Sequence, residues 1–276
     1  MPVISTNTAA NTALRYLNNN SAAQSESLAK LSSGSRIVSA KDDASGLAIA
    51  TSMNADITVL NQAATNVTSG ASVLNTADGA LSNIADILQR MNSLTAQAQS
   101  GSSSTDDLSY IDAEYQQLIE EIDDIATTTN FNGVGLLDGT SAYAASAGVA
   151  FLVGTASTDV INVQLDGVTA TDLSLNGTAI TSASSAAANM DLIQDAITVV
   201  SEMRADVGAT LSRFEFRGDV ISTSLENLQS AKSSITDVDI ATEQTNFTNY
   251  QTLTSAAISA LSQANSMSQS LLKLLQ

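Results

Sequence analysis

The sequence predicts a mainly α protein, with long coiled-coil-like helices from both termini packed together and a small β-hairpin insert in the middle. Three observations predict it. Apolar residues recur every seven positions over long stretches, a period of two replaces that pattern only in a short central segment, and the single proline of the 276 residues is Pro2. No helix after residue 2 is forced to break.

The first helix is sparse. Leu14, Leu17, Leu28 and Leu31 make a thin stripe in a segment otherwise rich in Asn and Ser. It runs into "LSSGSRIVSAKDDASGLAIA", residues 31–50, where Ser, Gly, Arg, Lys and two Asp crowd together. This segment lies between two helical stripes and reads as a joint. Gly34 lets the backbone turn, and Ser39 and Asp42 are the candidate N-caps of the helix that continues through Leu47.

From Met53 the apolar positions are Met53, Leu60, Val67, Leu74, Leu81 and Leu88, with Ala63, Ala77, Ile84, Met91 and Ala98 as companions. Such a seam needs a coiled-coil-like helix, because a straight helix drifts by about 20° per heptad. Asp56 and Gly70 read as interruptions. "QSGSSSTDD" then ends the helix and offers Ser and Thr as the next N-cap.

A second stripe follows at Leu108, Ile111, Tyr115, Leu118, Ile122 and Ile125, with Glu120, Glu121, Asp123 and Asp124 expected to face away. In "DVINVQLDG" the period becomes two, and "LSLNGTAI" sets an Asn-Gly turn between short alternating runs, so one or two hairpins are expected. The flanks "TSAYAASAG" and "TSASSAAAN" read as connectors. The third stripe is Ile193, Ile197, Val200, Val207, Leu211, Phe214, Ile221, Leu225, Leu228 and Ile235. At the end, Phe247, Ala257, Leu261, Ala264, Leu271 and Leu275 form another thin stripe, closing with "LLKLLQ".

Neither terminal stripe has a partner in its own neighbourhood, and isolated helices are marginal in water. Both ends are expected to be mobile in a lone subunit and ordered where other copies cover them.

The chemistry is restricted by what is missing. With no Cys and no His, thiolate nucleophiles, imidazole bases, disulfides and the usual zinc ligand sets are excluded, and no cofactor is expected. No cleavable secretory leader and no apolar run long enough for a membrane span are visible. The net charge is -18, and 15 Asp or Glu lie between Arg90 and Arg204 with no Lys or Arg among them. Nucleic acid is therefore not an expected partner. Residues 1–32 hold only Arg15, Lys30 and Glu26, and residues 242–276 only Glu243 and Lys273, so the ends are nearly neutral.

Short motifs add little. "SLAK" lacks the companion motifs of penicillin-recognising enzymes, and no Gly-x-x-x-x-Gly-Lys-Ser/Thr phosphate loop occurs. "EEIDD" flanks a helical stripe, and "RGD" at residues 217–219 falls within the third stripe.

Four blocks, in order, resemble bacterial flagellin. "LSSGSRIVSAKDDASGLAIA" is similar to that family's most recognisable segment, "GALSNIADILQRMNSLTAQAQSG" to its first long helix, and "IEEIDDIATTTNFNGVGLLDG" to its helix-to-hairpin passage. "DVDIATEQTNFTNYQ" and "ALSQANSMSQSLLKLL" are similar to its tail. The resemblance implies a short flagellin with little or no variable outer domain. It implies inner-core helices at 1–32 and 240–276, a spoke at 33–52, a helical outer core at 53–138 and 189–239, and a reduced variable insert at 139–188.

It also implies a function: self-assembly into the extracellular flagellar filament, with no catalysis. The implied polymerisation residues are Leu14, Leu17, Leu28, Leu31, Phe247, Leu261, Leu271 and Leu275; the spoke residues Arg36, Lys41, Asp42 and Asp43 are expected to contact neighbouring subunits. Beyond further copies of the chain, the implied partners are the flagellar cap, the junction proteins, an export chaperone, and the type III export apparatus, with no nucleic acid and no membrane. A host toll-like receptor is implied at Arg90, Leu94, Gln97 and Glu114, although Asn92 and Ser93 stand where responsive flagellins often carry an Arg-Glu pair. A hook-filament junction protein and a coiled-coil signalling rod are the alternative readings.

Overall fold

The computed structural model of the chain describes residues 6–100 and 104–273. The expectation placed on Leu275 lies outside these residues, as does that placed on the side chain of Leu271. Five helices, α1 (Thr8–Ser33), α2 (Ala44–Gln99), α3 (Thr105–Thr128), α4 (Ala183–Thr236) and α5 (Ile240–Lys273), account for most of them. Four short strands, β1 (Asn130–Phe131), β2 (Val134–Gly135), β3 (Val149–Leu152) and β4 (Val160–Val163), pair as two antiparallel hairpins. The chain divides into two compact units, Met1–Ala55 with Asn227–Gln276, and Asp56–Glu226.

The second unit holds nearly all of the core. In α2 the seam residues Leu74, Leu81 and Leu88 are at most 1% exposed, and Leu60 and Val67 are buried. On α4, Ala186, Ile193, Val200, Val207, Phe214 and Ile221 are buried at strict seven-residue spacing. Each fully buried Leu or Ile contributes about 1.5–3 kcal/mol, so these stripes dominate the unit's stability.

Gly70 is no interruption of the seam. A Cβ placed there would lie 2.6 Å from Cζ of Phe214, so the missing side chain is the hole into which that ring fits. Phe214 is fully buried and meets Phe151 of β3 edge-on at 5.8 Å, which ties the second hairpin to the helices. The Asn66 amide donates to the Leu152 carbonyl at 2.9 Å and secures the same hairpin.

α3 begins with a capping box: the Ser104 hydroxyl accepts from Asp107 N–H at 3.2 Å, and the Asp107 carboxylate accepts from Ser104 N–H at 2.9 Å. Its stripe is turned slightly from the expected one. Ile111, Tyr115, Ile119, Ile122 and Ala126 are buried, while Leu118 and Ile125 are only half-buried. The reason is that α3 packs on two sides. Asp123, expected to face away, accepts from Ala170 N–H at 2.7 Å, and Asp112 accepts from Ile180 N–H at 2.6 Å.

The hairpins also depart from expectation. β1 and β2 flank Asn132 and Gly133, both at positive φ (52° and 79°), as a two-residue hairpin turn requires. The other Asn-Gly pair, Asn176-Gly177, makes no hairpin. Its neighbours' backbone groups are taken by helix side chains: Thr178 O accepts from Gln116 at 2.8 Å and Ala179 O from Asn189 at 3.0 Å. "TSASSAAAN" is likewise no connector, because α4 already starts at Ala183, where the Ser182 hydroxyl accepts from Ser185 N–H at 3.1 Å.

Candidate assembly surface

In the first unit, α1 and α5 lie antiparallel. Asn7 caps α1 by accepting from Ala10 N–H at 2.9 Å, and its amide donates to Ala264 O at 3.0 Å and Ser268 Oγ at 3.2 Å. At the other end Lys30 pairs with Glu26 at 3.1 Å. The hydrogen bond to Glu26 raises the Lys30 pKa against the small opposing effect of burial, so this lysine is charged at neutral pH.

The seam between these helices is poor. Among the described residues only Ser27 and Ala257 are buried in it, both small; Leu17, Leu31, Phe247 and Leu261 are half-buried. Leu14 and Leu28 do not join Leu17 and Leu31 on it and stand 45% and 54% exposed. Leu253, Ile258 and Met267 of α5 are 49%, 54% and 61% exposed. Two helices of 26 and 34 residues therefore leave these five large apolar side chains at least 45% exposed, while the described residues buried between them are small.

The joint is closed by its own chain. Gly34 ends α1 in the left-handed conformation at φ 69°. Ser35 and Asp237 then form an antiparallel bridge, in which Arg36 N–H donates to Thr236 O at 2.6 Å and Val238 N–H to Gly34 O at 3.1 Å. The Arg36 guanidinium donates to Ile235 O at 2.7 Å, satisfying a carbonyl at the negative end of α4. Asp43, rather than Ser39 or Asp42, caps α2, accepting from Gly46 N–H at 2.8 Å. A Cβ on Gly46 would meet both the Asp43 carboxylate and the Ile37 side chain, the latter at 2.9 Å.

Asp42 serves the preceding turn, accepting from Ser39 N–H at 2.9 Å and Val38 N–H at 3.1 Å. The Ser39 bond, chiefly, holds its carboxyl below the ordinary range. Asp239 does the same for α5: bonds from Thr242 and then Ala241 keep it low. Arg36, Asp42 and Asp43 thus each make a bond inside the chain, and Lys41 is exposed. The Ser35–Asp237 bridge and the Asp239 cap escaped the sequence reading; an Asp just before an apolar helical run was the available signal.

The positions linked to receptor recognition lie on the second unit. Arg90 and Glu114 form an ion pair at 2.7 Å, half-exposed on both sides, Gln97 is exposed, and Leu94 is only 2% exposed, presenting next to no surface to a partner.

Charge separates the two units. The first holds six Lys or Arg and six Asp or Glu, whereas the second holds four and 22, so the whole formal net charge of -18 belongs to the second. The unit with the uncovered apolar helices is also the one with no net charge to repel a copy of itself.

Comparisons with known proteins agree with this arrangement. The family model described as "Bacterial flagellin N-terminal helical region" matches residues 4–142, and that described as "Bacterial flagellin C-terminal helical region" matches 190–275. The flagellar filament 30.7 kDa core protein of Treponema maltophilum is 39% identical over 89% of this chain and 90% of its own length. A flagellin of Listeria innocua is 37% identical over 94% of both. The crystal structure of Bacillus cereus flagellin superposes with a TM-score of 0.52 at 30% identity, covering 61% of this chain and 94% of that one. With both helical regions matched, and relatives aligned over most of its length, the chain belongs to the bacterial flagellin family.

Proposed function

We propose that this chain is the repeating subunit of an extracellular helical filament, turned by the bacterium as a propeller, and that it performs no catalysis. The observation that carries the proposal is the uncovered apolar surface of α1 and α5, on a unit with no net charge and almost no core. A helix pair of this kind gains most of its burial from other copies, which couples its full ordering to assembly. In this reading residues 1–32 and 240–276 are the inner core of the filament. Leu14, Leu28, Leu253, Ile258 and Met267 meet neighbouring subunits there, and Leu17, Leu31, Phe247 and Leu261 hold the pair together.

Residues 33–52 are the spoke, 53–138 with 189–239 the outer core, and 139–188 the reduced variable insert. The -18 charge of the second unit then faces water on the outside and keeps the polymer soluble. Export through a type III apparatus with a chaperone, followed by addition under a cap and onto junction proteins, is the route this reading requires for a subunit that would otherwise polymerise early. For a toll-like receptor, Asn92, Ser93 and the buried Leu94 argue against strong recognition. A signalling rod is disfavoured, because both flagellin helical-region models match the chain.

Deletion of residues 250–276 tests the proposal. The purified full chain should form filaments visible by negative-stain electron microscopy, and the truncated chain should stay soluble and largely helical with none. Filaments from the truncated chain would overturn it.

A further inference from the structure

The second unit has a groove of about 440 Å³ between α4 and β4, and its chemistry differs from that of the surface around it. Phe216 and Val220 of α4 are 71% and 53% exposed along its wall, and Val160 of β4 is 38% exposed opposite them. Arg213 and Arg217 stand on the same stretch of α4, so two of this unit's four cations are gathered at one apolar patch. Arg217 is engaged within the chain, pairing with Asp159 at 3.6 Å and donating to Val153 O at 3.2 Å. Arg90 and Arg204 are paired with Glu114 and Asp78. Among the described residues, Arg213 is the one cation of the unit with no carboxylate within 4.0 Å.

An exposed aromatic beside an unpaired guanidinium calls for a partner that is acidic and partly apolar. The chain carries such a face itself. α3 has no Lys or Arg, its Glu120, Glu121 and Asp124 are exposed, and Tyr110, 75% exposed, precedes Asp124 by 14 residues, which is two heptads along the same helix. We propose that the Arg213–Phe216–Val220 groove of one subunit receives the acidic α3 face of a second copy, as a contact between outer cores.

The two patches lie on different helices, so the contact is head-to-tail: each subunit offers its α3 face to one neighbour and its groove to another. Contacts of this kind propagate into open helical assemblies instead of closing as dimers. Docking also neutralises part of a unit holding 22 acidic and four basic residues, which lowers the repulsion between outer cores. This inference rests on the filament reading and adds an address to it.

Charge exchange in the full chain tests it, with polymerisation followed by light scattering and electron microscopy. Arg213→Glu should raise the critical concentration about three- to tenfold, the range open to a half-exposed charge pair and its reversal. Phe216→Ser, at a site too exposed to matter for folding, should do likewise. Adding Glu121→Arg to Arg213→Glu should restore at least half of the loss, with circular dichroism unchanged throughout. Unaltered assembly of both Arg213→Glu and Phe216→Ser would overturn the groove as an interface. Impaired assembly without rescue by Glu121→Arg, Glu120→Arg or Asp124→Arg would overturn α3 as its occupant. A wild-type chain that forms no filaments under any assembly condition would instead remove the filament reading, and this contact with it.

Discussion

Three helical glycines in the second unit should respond in opposite directions to one substitution. Gly→Ala in a helix interior stabilises by about 0.5–1 kcal/mol where the new methyl meets nothing, because alanine loses less backbone entropy on folding. At Gly79 of α2 and Gly208 of α4 a Cβ has no heavy atom within 4 Å, so Gly79→Ala and Gly208→Ala should each gain about that much. At Gly70 the same methyl would lie 2.6 Å from Cζ and 2.8 Å from Cε1 of Phe214, some 1 Å inside ordinary contact. The ring cannot swing away freely, because it is fully buried and set against Phe151 at 5.8 Å with planes 88° apart.

Overpacking of this size costs about 1–3 kcal/mol, and subtracting the helix gain of about 0.5–1 kcal/mol leaves Gly70→Ala destabilised by up to about 2.5 kcal/mol. For a unit of 171 residues that is a fall of up to about 10 °C in Tm, against a rise of about 1–4 °C at the other two glycines. Thermal unfolding followed at 222 nm on dilute, unpolymerised chain would measure all three. Gly70→Ala combined with Phe214→Leu should cost less than the two single losses added, since the smaller side chain vacates the space the methyl needs. A Gly70→Ala variant as stable as Gly79→Ala would refute the seating of Phe214 on that glycine.

Further outcomes follow from other residues. Leu74→Lys buries an amine at a site 1% exposed, and should cost at least about 3 kcal/mol in urea unfolding monitored by circular dichroism; an unchanged midpoint would show the seam register to be wrong. Asp112→Ala and Asp123→Ala each strand a backbone N–H, of Ile180 and Ala170, and should lower stability by about 1–3 kcal/mol with faster amide exchange at those two donors. Asp42, Asp237 and Asp239 have folded-state pKa values below the ordinary 3.8, so what they contribute is complete above that pH and is lost as pH falls through the lowered values. Amide protection at Ser39, Ala241 and Thr242 should therefore persist at pH 5 and fade well below pH 4, and protection lost already at pH 5 would contradict this.

The helices are legible in the residue order, because a repeat of seven is a property of the chain's own covalent order and survives any packing that buries it. Leu60, Val67, Leu74, Leu81 and Leu88 are buried as the spacing required, and Ser104 caps α3 because a hydroxyl three residues before Asp107 reaches its N–H without help from elsewhere. The excluded chemistry was equally legible, since a chain without Cys or His lacks those groups in any fold.

What the residue order leaves open are the places where one segment's backbone or volume is met by a distant one. Of two Asn-Gly pairs only Asn132-Gly133 turns a hairpin; around Asn176-Gly177 the side chains of Asp112, Gln116 and Asn189 take the backbone bonds that a strand would have used. Gly70 looked like a gap because Phe214, which fills it, is 144 residues away. The joint's Arg36 shows no intrachain partner in the sequence because the end of α4, whose Ile235 carbonyl it binds, comes close only in three dimensions. Local rules describe what a segment does with its own atoms; a hydrogen bond or cavity shared across the fold is fixed only when its other half is in place.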